Sequence, residues 1–358
     1  MRKRIQFFCI SMRPGGTERI VARFANHLSK RNNVAITLVS RSSLFYRLRD
    51  NIRLYQPDIP KRQDAGWQWY PKTFGYMHRS ISDFAPDVVL CFGENIAPAV
   101  LVATRMTGRK CIVFNRGSPI YILSGLRRLL YPTFDILSNS VVVQTEKAKA
   151  MIYRSLPLLK IRVLPNPIEI PKTSSEITQR DFQIVNVGTL GGRKGQADLI
   201  NAFAGAGLKS KWKLVFVGDG PDRHKLEKLA YARGVADSVF FSGETGNVQE
   251  ILNQSRIFAF PSRREGFPNA LAEALAAGCA CLSFDCLTGP SDLIEDEVNG
   301  LLVANGDQAA FEASLSRLAA DQPLQERLSL AARDRIQEYS AEKIFARLDL
   351  LIEEALAV

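Results

Sequence analysis

The sequence is short of histidine. It has three in 358 residues, with no H-E-x-x-H and no other histidine cluster, so its histidines point to no bound metal. Cysteine adds nothing of that kind. Cys9, Cys91, Cys111, Cys279, Cys281 and Cys286 include no C-x-x-C pair, and five of the six lie in or beside apolar, strand-like runs. Reduced, buried thiols are expected rather than disulfides or metal ligands. Long apolar runs are missing too. The clearest uninterrupted one, residues 97–103, has seven residues, against the ~20 that a membrane-spanning helix needs. The opening MRKRIQFFCISMRPGG has a short apolar part, but Arg13 follows at once and no small-residue cleavage site appears. It reads as a first strand rather than a signal peptide. No repeat of solenoid period is found.

Length and hydrophobic content are ordinary. A chain of 358 residues with 46% hydrophobic residues has material for two domains with separate cores. Charge is unevenly spread. Residues 1–165 hold 27 Lys and Arg against 9 Asp and Glu, a balance of +18; the remainder holds 20 against 27, a balance of −7. The basic first half therefore suggests an anionic partner such as membrane lipid, nucleic acid or a phosphorylated substrate.

Taken in order, the chain alternates strand and helix. Arg4–Ile10 reads as a buried strand, Ser11–Gly16 as a glycine-ending loop, Thr17 to about Lys30 as an amphipathic helix, and Val34–Ser40 as the next strand. Gly15 and Gly16, at the helix N-terminus, would let a phosphate approach the backbone, although a Gly-Gly pair is also an ordinary tight turn. Residues 41–85 are less regular. Their stretch 66–79 is dense in aromatics and cations, which suits either a membrane interface or a core-packed helix. Strands follow at Asp87–Phe92 and Lys110–Phe114, flanking a helix over Ile96–Met106. The polar loop Asn115-Arg116-Gly117-Ser118 then stands where open α/β sheets place ligands. Residues 121–134 are apolar around Arg127 and Arg128, a second candidate membrane segment. Strands at Ser140–Val143 and Ile161–Leu164 complete an α/β first domain.

Residues 164–181, with Pro165, Pro167 and Pro171, read as a linker. A second α/β series follows. Its strands are Phe182–Val187, Lys213–Val217, Ser238–Phe241, Ile257–Phe260, Ala280–Phe284 and Gly300–Val303. From about Asp307 the chain is helical, and the last helix, Ala341–Ala357, is long enough to cross back onto the first domain.

The stretch Phe260–Gly278, FPSRREGFPNALAEALAAG, holds the densest chemistry. A strand ends, a polar loop carries Glu265, and a helix is expected to start at Pro268. The helix is almost wholly Ala and Leu, yet Glu273 sits inside it, where a carboxylate is costly without a partner. Two carboxylates around a helix N-terminus suit a ligand carrying hydroxyls and an anion. A surface-facing Glu273 and a solvated Glu265 are the plainer reading. Other strand ends carry ligand-type groups as well: Gly188-Thr189-Leu190-Gly191-Gly192-Arg193-Lys194-Gly195 with its two cations, Gly218-Asp219-Gly220-Pro221, and Ser242-Gly243-Glu244.

In this ordered string the chain resembles the retaining family-4 glycosyltransferases (glycosyl transferases group 1). Residues 182–304 carry the closest match: Val187-Gly188-Thr189-Leu190, Arg193-Lys194-Gly195, Phe216-Val217-Gly218-Asp219-Gly220-Pro221, Phe241-Ser242-Gly243, Pro261 to Asn269, and Asn299-Gly300-Leu301-Leu302-Val303. The spacing Glu265-x7-Glu273 matches the family's E-x7-E signature. The resemblance implies the GT-B fold, α/β with two Rossmann-like doubly wound domains facing across a cleft. Residues 1–165 would form an acceptor- and membrane-facing domain, residues 166–340 a donor domain, and residues 341–358 a helix packing on the first domain.

It also implies roles. The catalytic set would be Glu265, Lys194, Arg193 and Arg116. Glu265 would touch the donor sugar's hydroxyls and Glu273 the ribose diol. Backbone N–H groups of Gly266, Phe267, Asn269 and Ala270 would meet sugar and diphosphate. Lys194 with Arg193 would neutralise the departing diphosphate, where charge develops. Gly188, Gly218, Gly243 and Glu244 would line the nucleotide, and Gly15 and Gly16 would close over the phosphate. No cofactor and no metal is implied, and the chain has no D-x-D. Two positions depart from the family pattern. Thr189 stands where Arg is usual, with Arg193 as a candidate substitute. Arg116 stands where many members have a first-domain His, and is open to three readings: an acceptor phosphate, the donor, or structure.

The function expected is transfer of a hexose or N-acetylhexosamine from a nucleotide sugar, UDP-linked, to a polyprenyl-diphosphate-linked glycan in polysaccharide biosynthesis. The partners expected are the nucleotide sugar, the lipid-linked acceptor and an anionic membrane surface on the cytoplasmic face, where each surface cation contributes ~1 kcal/mol. A GT-B epimerase or hydrolase is one alternative. A non-catalytic basic membrane- or nucleic-acid-binding protein is another, although no aromatic–basic RNA motif or helix-turn-helix pattern supports nucleic acid.

Overall fold

The computed structural model describes residues 2–59, 68–119, 137–171 and 175–357. The candidate membrane segment 121–134, residues 66 and 67 of the aromatic stretch and part of the linker lie outside them. Contacts divide the chain into two compact units. Unit 1 comprises residues 1–167 with 342–358, and unit 2 residues 168–341.

Unit 1 is built on apolar runs buried on both faces, the pattern parallel strands require. Its strands are β1 (Arg4–Cys9), β2 (Asn33–Leu38), β3 (Ile52–Tyr55), β4 (Val88–Phe92), β5 (Lys110–Phe114), β6 (Ser140–Val143) and β7 (Ile161–Val163). They pair in parallel in the order β3-β2-β1-β4-β5-β6-β7. β3 lies inside the stretch that reads as irregular. It is a four-residue edge strand with one buried residue, Ile52, so it carries little apolar pattern. The aromatic stretch forms the helix Trp69–Phe84. Met77, Ile81 and Phe84 are buried, and Trp69, Phe74 and Tyr76 pack partly against the same core. Core packing thus accounts for that face.

A stack of phenylalanines marks the centre of unit 1. Phe92 and Phe114 lie face to face with centroids 4.3 Å apart, and Phe24 meets both at 6.2 and 6.3 Å. The helix Ala341–Ala357 joins this core through Ile344, Leu348, Leu351, Ile352 and Ala355, a single helical stripe.

Unit 2 repeats the plan. Its strands are β8 (Asp181–Val187), β9 (Lys213–Val217), β10 (Val239–Gly243), β11 (Ser255–Phe260), β12 (Ala280–Asp285) and β13 (Leu301–Ala304). They run parallel in the order β10-β9-β8-β11-β12-β13. Both sheets therefore reverse direction of winding once, between β1 and β4 in one and between β8 and β11 in the other. Each is a doubly wound sheet with a switch point. All six cysteines are buried and unbridged. No helix among the described residues is long and apolar enough to cross a membrane.

Candidate active site

A doubly wound sheet leaves a crevice outside the carboxyl ends of the strands at its switch point. In unit 2 two loops meet there, residues 188–195 after β8 and residues 261–268 after β11. They are fastened to each other. The Arg263 N–H donates to the Arg193 carbonyl at 3.0 Å, and the buried Ser262 hydroxyl lies 3.4 Å from the same oxygen. Gly195 has φ of +71°, and any Cβ there would run into the Pro261 carbonyl. Only glycine allows that approach.

This fastening brings the two predicted ligand-binding charges together. Lys194 Nζ donates to Glu265 Oε1 at 2.7 Å, and Ser262 Oγ donates to the same oxygen at 2.5 Å. The Lys194 side chain is 34% exposed and that of Glu265 11%. From the other side, the Thr288 hydroxyl donates to the Glu265 carbonyl at 2.7 Å. Burial, followed by the neighbouring Glu265 charge, pushes the Cys286 thiol up to about 11. Glu265 is thus held at both backbone and side chain. One carboxylate oxygen carries two donors, and no hydrogen bond to Oε2 is found among the described residues. Ser262 and Thr288 went unnoticed in the sequence. The first is an alcohol inside the Glu265 loop, three residues before the carboxylate, and the second a turn residue 23 positions downstream.

The helix after this loop starts one residue later than expected. Pro268 has ψ of 77°, which is not helical, so it caps the helix Asn269–Ala277. Six of its nine residues are buried. The other three, Asn269, Ala270 and Glu273, are half-buried. They share one face by i, i+3 and i+4 spacing. Glu273 therefore points the way the first turn does and is no core carboxylate. One expected backbone contact is corrected: the Asn269 N–H already donates to the Phe267 carbonyl at 3.0 Å. The Phe267 ring is core, 5% exposed and 6.2 Å from the Tyr339 ring.

The glycine loops converge along the same edge. The Gly218 N–H donates to the Gly243 carbonyl at 2.8 Å, and the Gly188 N–H to the Val217 carbonyl at 2.9 Å. A Cβ on Gly218, at φ +129°, would strike the Gly188 carbonyl. Glu244, Thr189 and Arg193 are exposed. Arg223, unmarked in the sequence, leans on this edge, donating to the Phe241 carbonyl at 3.2 Å.

Unit 1 places its predicted residues differently. The Gly15 N–H, expected to meet a phosphate, donates to the Tyr46 hydroxyl at 3.0 Å, and that hydroxyl donates back to the Gly15 carbonyl at 2.8 Å. Gly16 opens the helix Gly16–Leu28. Arg116 is buried at 9% exposure, with its Cζ 5.2–5.6 Å from the Phe24, Phe92 and Phe114 ring centroids. Its Nη1 donates to Asn166 Oδ1 at 3.0 Å and lies 3.4 Å from the Leu164 carbonyl. Burial lowers its pKa to about 9, and the Glu94 charge acts against that shift.

A paired cation and carboxylate beside a helix N-terminus, with glycine loops along the same strand ends, form a cradle for a phosphorylated ligand bearing hydroxyls. Comparison with known proteins agrees. The model for "Glycosyl transferases group 1" matches residues 168–335, and that for "Glycosyltransferase Family 4" matches residues 14–171. The chain belongs to the GT-B glycosyltransferases. It is 25% identical over 355 residues to the GalNAc-alpha-(1->4)-GalNAc-alpha-(1->3)-diNAcBac-PP-undecaprenol alpha-1,4-N-acetyl-D-galactosaminyltransferase of Campylobacter jejuni, covering 95% of this chain and 96% of that one. The lipopolysaccharide 1,6-galactosyltransferase of Escherichia coli is 27% identical over 285 residues, 77% of each chain. Among solved structures, Anabaena HepE in complex with UDP superposes with a TM-score of 0.85 at 16% identity, over 99% of this chain and 100% of that one. The apo form of the lipopolysaccharide outer core galactosyltransferase WaaB gives 0.79 at 20%, over 98% and 99%. At such identities the superpositions speak for the fold. The glycosyltransferase assignment rests on the family models and the sequence relatives.

Proposed function

We propose that this glycosyltransferase moves a hexose or N-acetylhexosamine from a UDP-linked sugar to a polyprenyl-diphosphate-linked glycan, with retention at the anomeric carbon and without a metal. The observation that carries this reading is the Lys194–Glu265–Ser262 cluster at the switch point of unit 2. Lys194 and the helix N-terminus supply positive charge where a leaving diphosphate gains negative charge, so they favour the transition state over the ground state. Glu265 Oε2 accepts a hydroxyl of the donor sugar. Glu273, on the face shared with the helix's first turn, accepts from the ribose diol. Arg193, exposed one residue from Lys194, adds a second cation. Gly188, Gly218, Gly243 and Glu244 line the nucleotide. The Gly266 and Ala270 N–H groups are the backbone donors toward the sugar and diphosphate. Glu265 and Glu273 bind rather than act as an acid/base couple, because Glu265 Oε1 is already engaged by Lys194 and Ser262.

The lipid-linked acceptor is supported by the Campylobacter relative, whose name describes transfer to an undecaprenol-linked glycan, and by the +18 balance of residues 1–165. We place the enzyme peripherally on the inner face of the cytoplasmic membrane on the same grounds. A panel of nucleotide sugars with a lipid-linked acceptor, read by product mass and by the anomeric coupling constant, tests the reaction. An α-linked product from a UDP-α-sugar supports it; hydrolysis or epimerisation of the donor with no transfer overturns it. Flotation with anionic liposomes tests the membrane placement. Binding at low salt that is lost at high salt is expected, and absence of binding at low salt refutes it.

A further inference from the structure

Among the described residues, Arg116 is the one buried cation of unit 1 that the hydrogen bonds around it leave half used. Its Nη1 is engaged by Asn166 and Leu164, but Nε and Nη2, both shielded from water, have no partner among the described residues. Those two nitrogens form one edge of the guanidinium, the fork that grips a carboxylate or phosphate through two parallel hydrogen bonds. The surroundings do not supply the anion. Glu94, whose charge acts on Arg116, spends Oε1 on the Gly117 N–H at 2.8 Å. Among the described residues no carboxylate lies within ion-pair distance of Arg116. The three phenylalanine rings face the cation but cannot accept from the fork edge as an oxyanion does.

Neighbouring groups are arranged in the same way. Gln144 Nε2 donates to Asn166 Oδ1 at 3.1 Å, the oxygen that Arg116 Nη1 also uses. Among the described residues Gln144 Oε1 is buried without a donor, and Ser118 Oγ without a partner. Arg116, Ser118, Gln144 and Asn166 all follow the carboxyl ends of β5, β6 or β7. Two orphan donors on a cation and an orphan amide oxygen beside it are together the complement of an oxyanion carrying a hydroxyl group. A buried cation kept unpaired is costly, and Gly117, one residue away, is at the surface.

We propose that Arg116 anchors a second oxyanion site, in unit 1, where the Nε–Nη2 edge takes a phosphate of a sugar-phosphate ligand bidentately and Gln144 Oε1 accepts from a neighbouring hydroxyl. The site's existence does not depend on the transferase reading; only the source of the phosphate, carrier-linked acceptor or nucleotide sugar, rests on it. The first test uses inorganic pyrophosphate and calorimetry in a Lys194→Ala background, which removes the main cation of the unit 2 site. Adding Arg116→Lys, which keeps the charge and loses the fork, is expected to weaken pyrophosphate binding at least tenfold. Equal binding by the single and double variants overturns the site. Folding is controlled with Arg116→Met in the same background. In anion-free buffer its melting temperature should equal or exceed that of Lys194→Ala alone, and pyrophosphate should stabilise it less. A large loss of melting temperature without anion makes Arg116 a structural residue and overturns the proposal. In the transfer assay, Arg116→Lys should raise KM at least tenfold for one substrate only. A rise for the acceptor assigns the phosphate to the carrier, a rise for the donor assigns it to the nucleotide sugar, and no rise in either contradicts a ligand role.

Discussion

The two sheets share a winding order, yet their strand-end edges are finished differently. In unit 2 the cation is answered within the protein: Lys194 meets Glu265, Glu265 meets Ser262, and Thr288 fixes the loop that carries them. In unit 1 the cation is deeper and only half answered, with Arg116 Nε and Nη2 unpaired. A paired charge is preorganised and stable before any ligand arrives. A buried, half-paired charge lowers stability until a ligand completes it. The comparison separates a site held ready from a site whose ligand is part of its own stabilisation.

Four tests press on that contrast. The largest effect is expected in unit 2. Lys194→Ala and Glu265→Ala should each lower kcat by about 10²–10³-fold, the usual cost of removing one preorganised charge from a transition state, with circular dichroism unchanged. Transfer at the wild-type rate in both would remove them from the site. Next comes Ser262→Ala, which takes away one of the two donors on Glu265 Oε1. A loss of about tenfold in kcat, equivalent to ~1.4 kcal/mol, is expected in steady-state assays, and an unchanged kcat would mean that Lys194 alone orients the carboxylate. The third concerns stability and has opposite signs in the two units. Lys194→Met leaves a mostly buried carboxylate without its cation and should lower the melting temperature by about 2–4 °C per kcal/mol lost. Arg116→Met removes an unsatisfied cation and should leave the melting temperature level or raise it. Equal losses in scanning calorimetry would erase the distinction. The smallest effect is a null: mass spectrometry after brief treatment with iodoacetamide should find no alkylated cysteine in the native protein, since all six are buried and burial raises thiols such as Cys286.

Much of this was legible before any coordinates. Strand-like apolar runs separated by helix-length segments predict two parallel sheets, and Glu265-x7-Glu273 with its surrounding glycine loops marks the strand-end edge of the candidate site. What escaped was of two kinds. Short edge elements such as β3 bury too little to leave a pattern. Partnerships between distant residues leave none: Lys194 and Glu265 are 71 positions apart, and Arg116 and Asn166 50. No local rule says that the lysine assigned to the diphosphate and the glutamate assigned to the sugar are each other's partner. The same holds for Tyr46, which takes both the N–H and the carbonyl of Gly15. Its side chain reaches Gly15 across a stretch with little regular pattern. The offset at Pro268 is smaller in origin. Proline suits both the cap and the first helical position, and sequence cannot divide them.

The central claim is that unit 2 binds a nucleotide diphosphate through Lys194 at its switch point. Calorimetric titration of UDP into the wild-type protein and into Lys194→Ala tests it most directly. The account predicts saturable one-site binding to the wild type and at least tenfold weaker binding to the variant. UDP binding of equal strength in both, or no binding to the wild type, would contradict it.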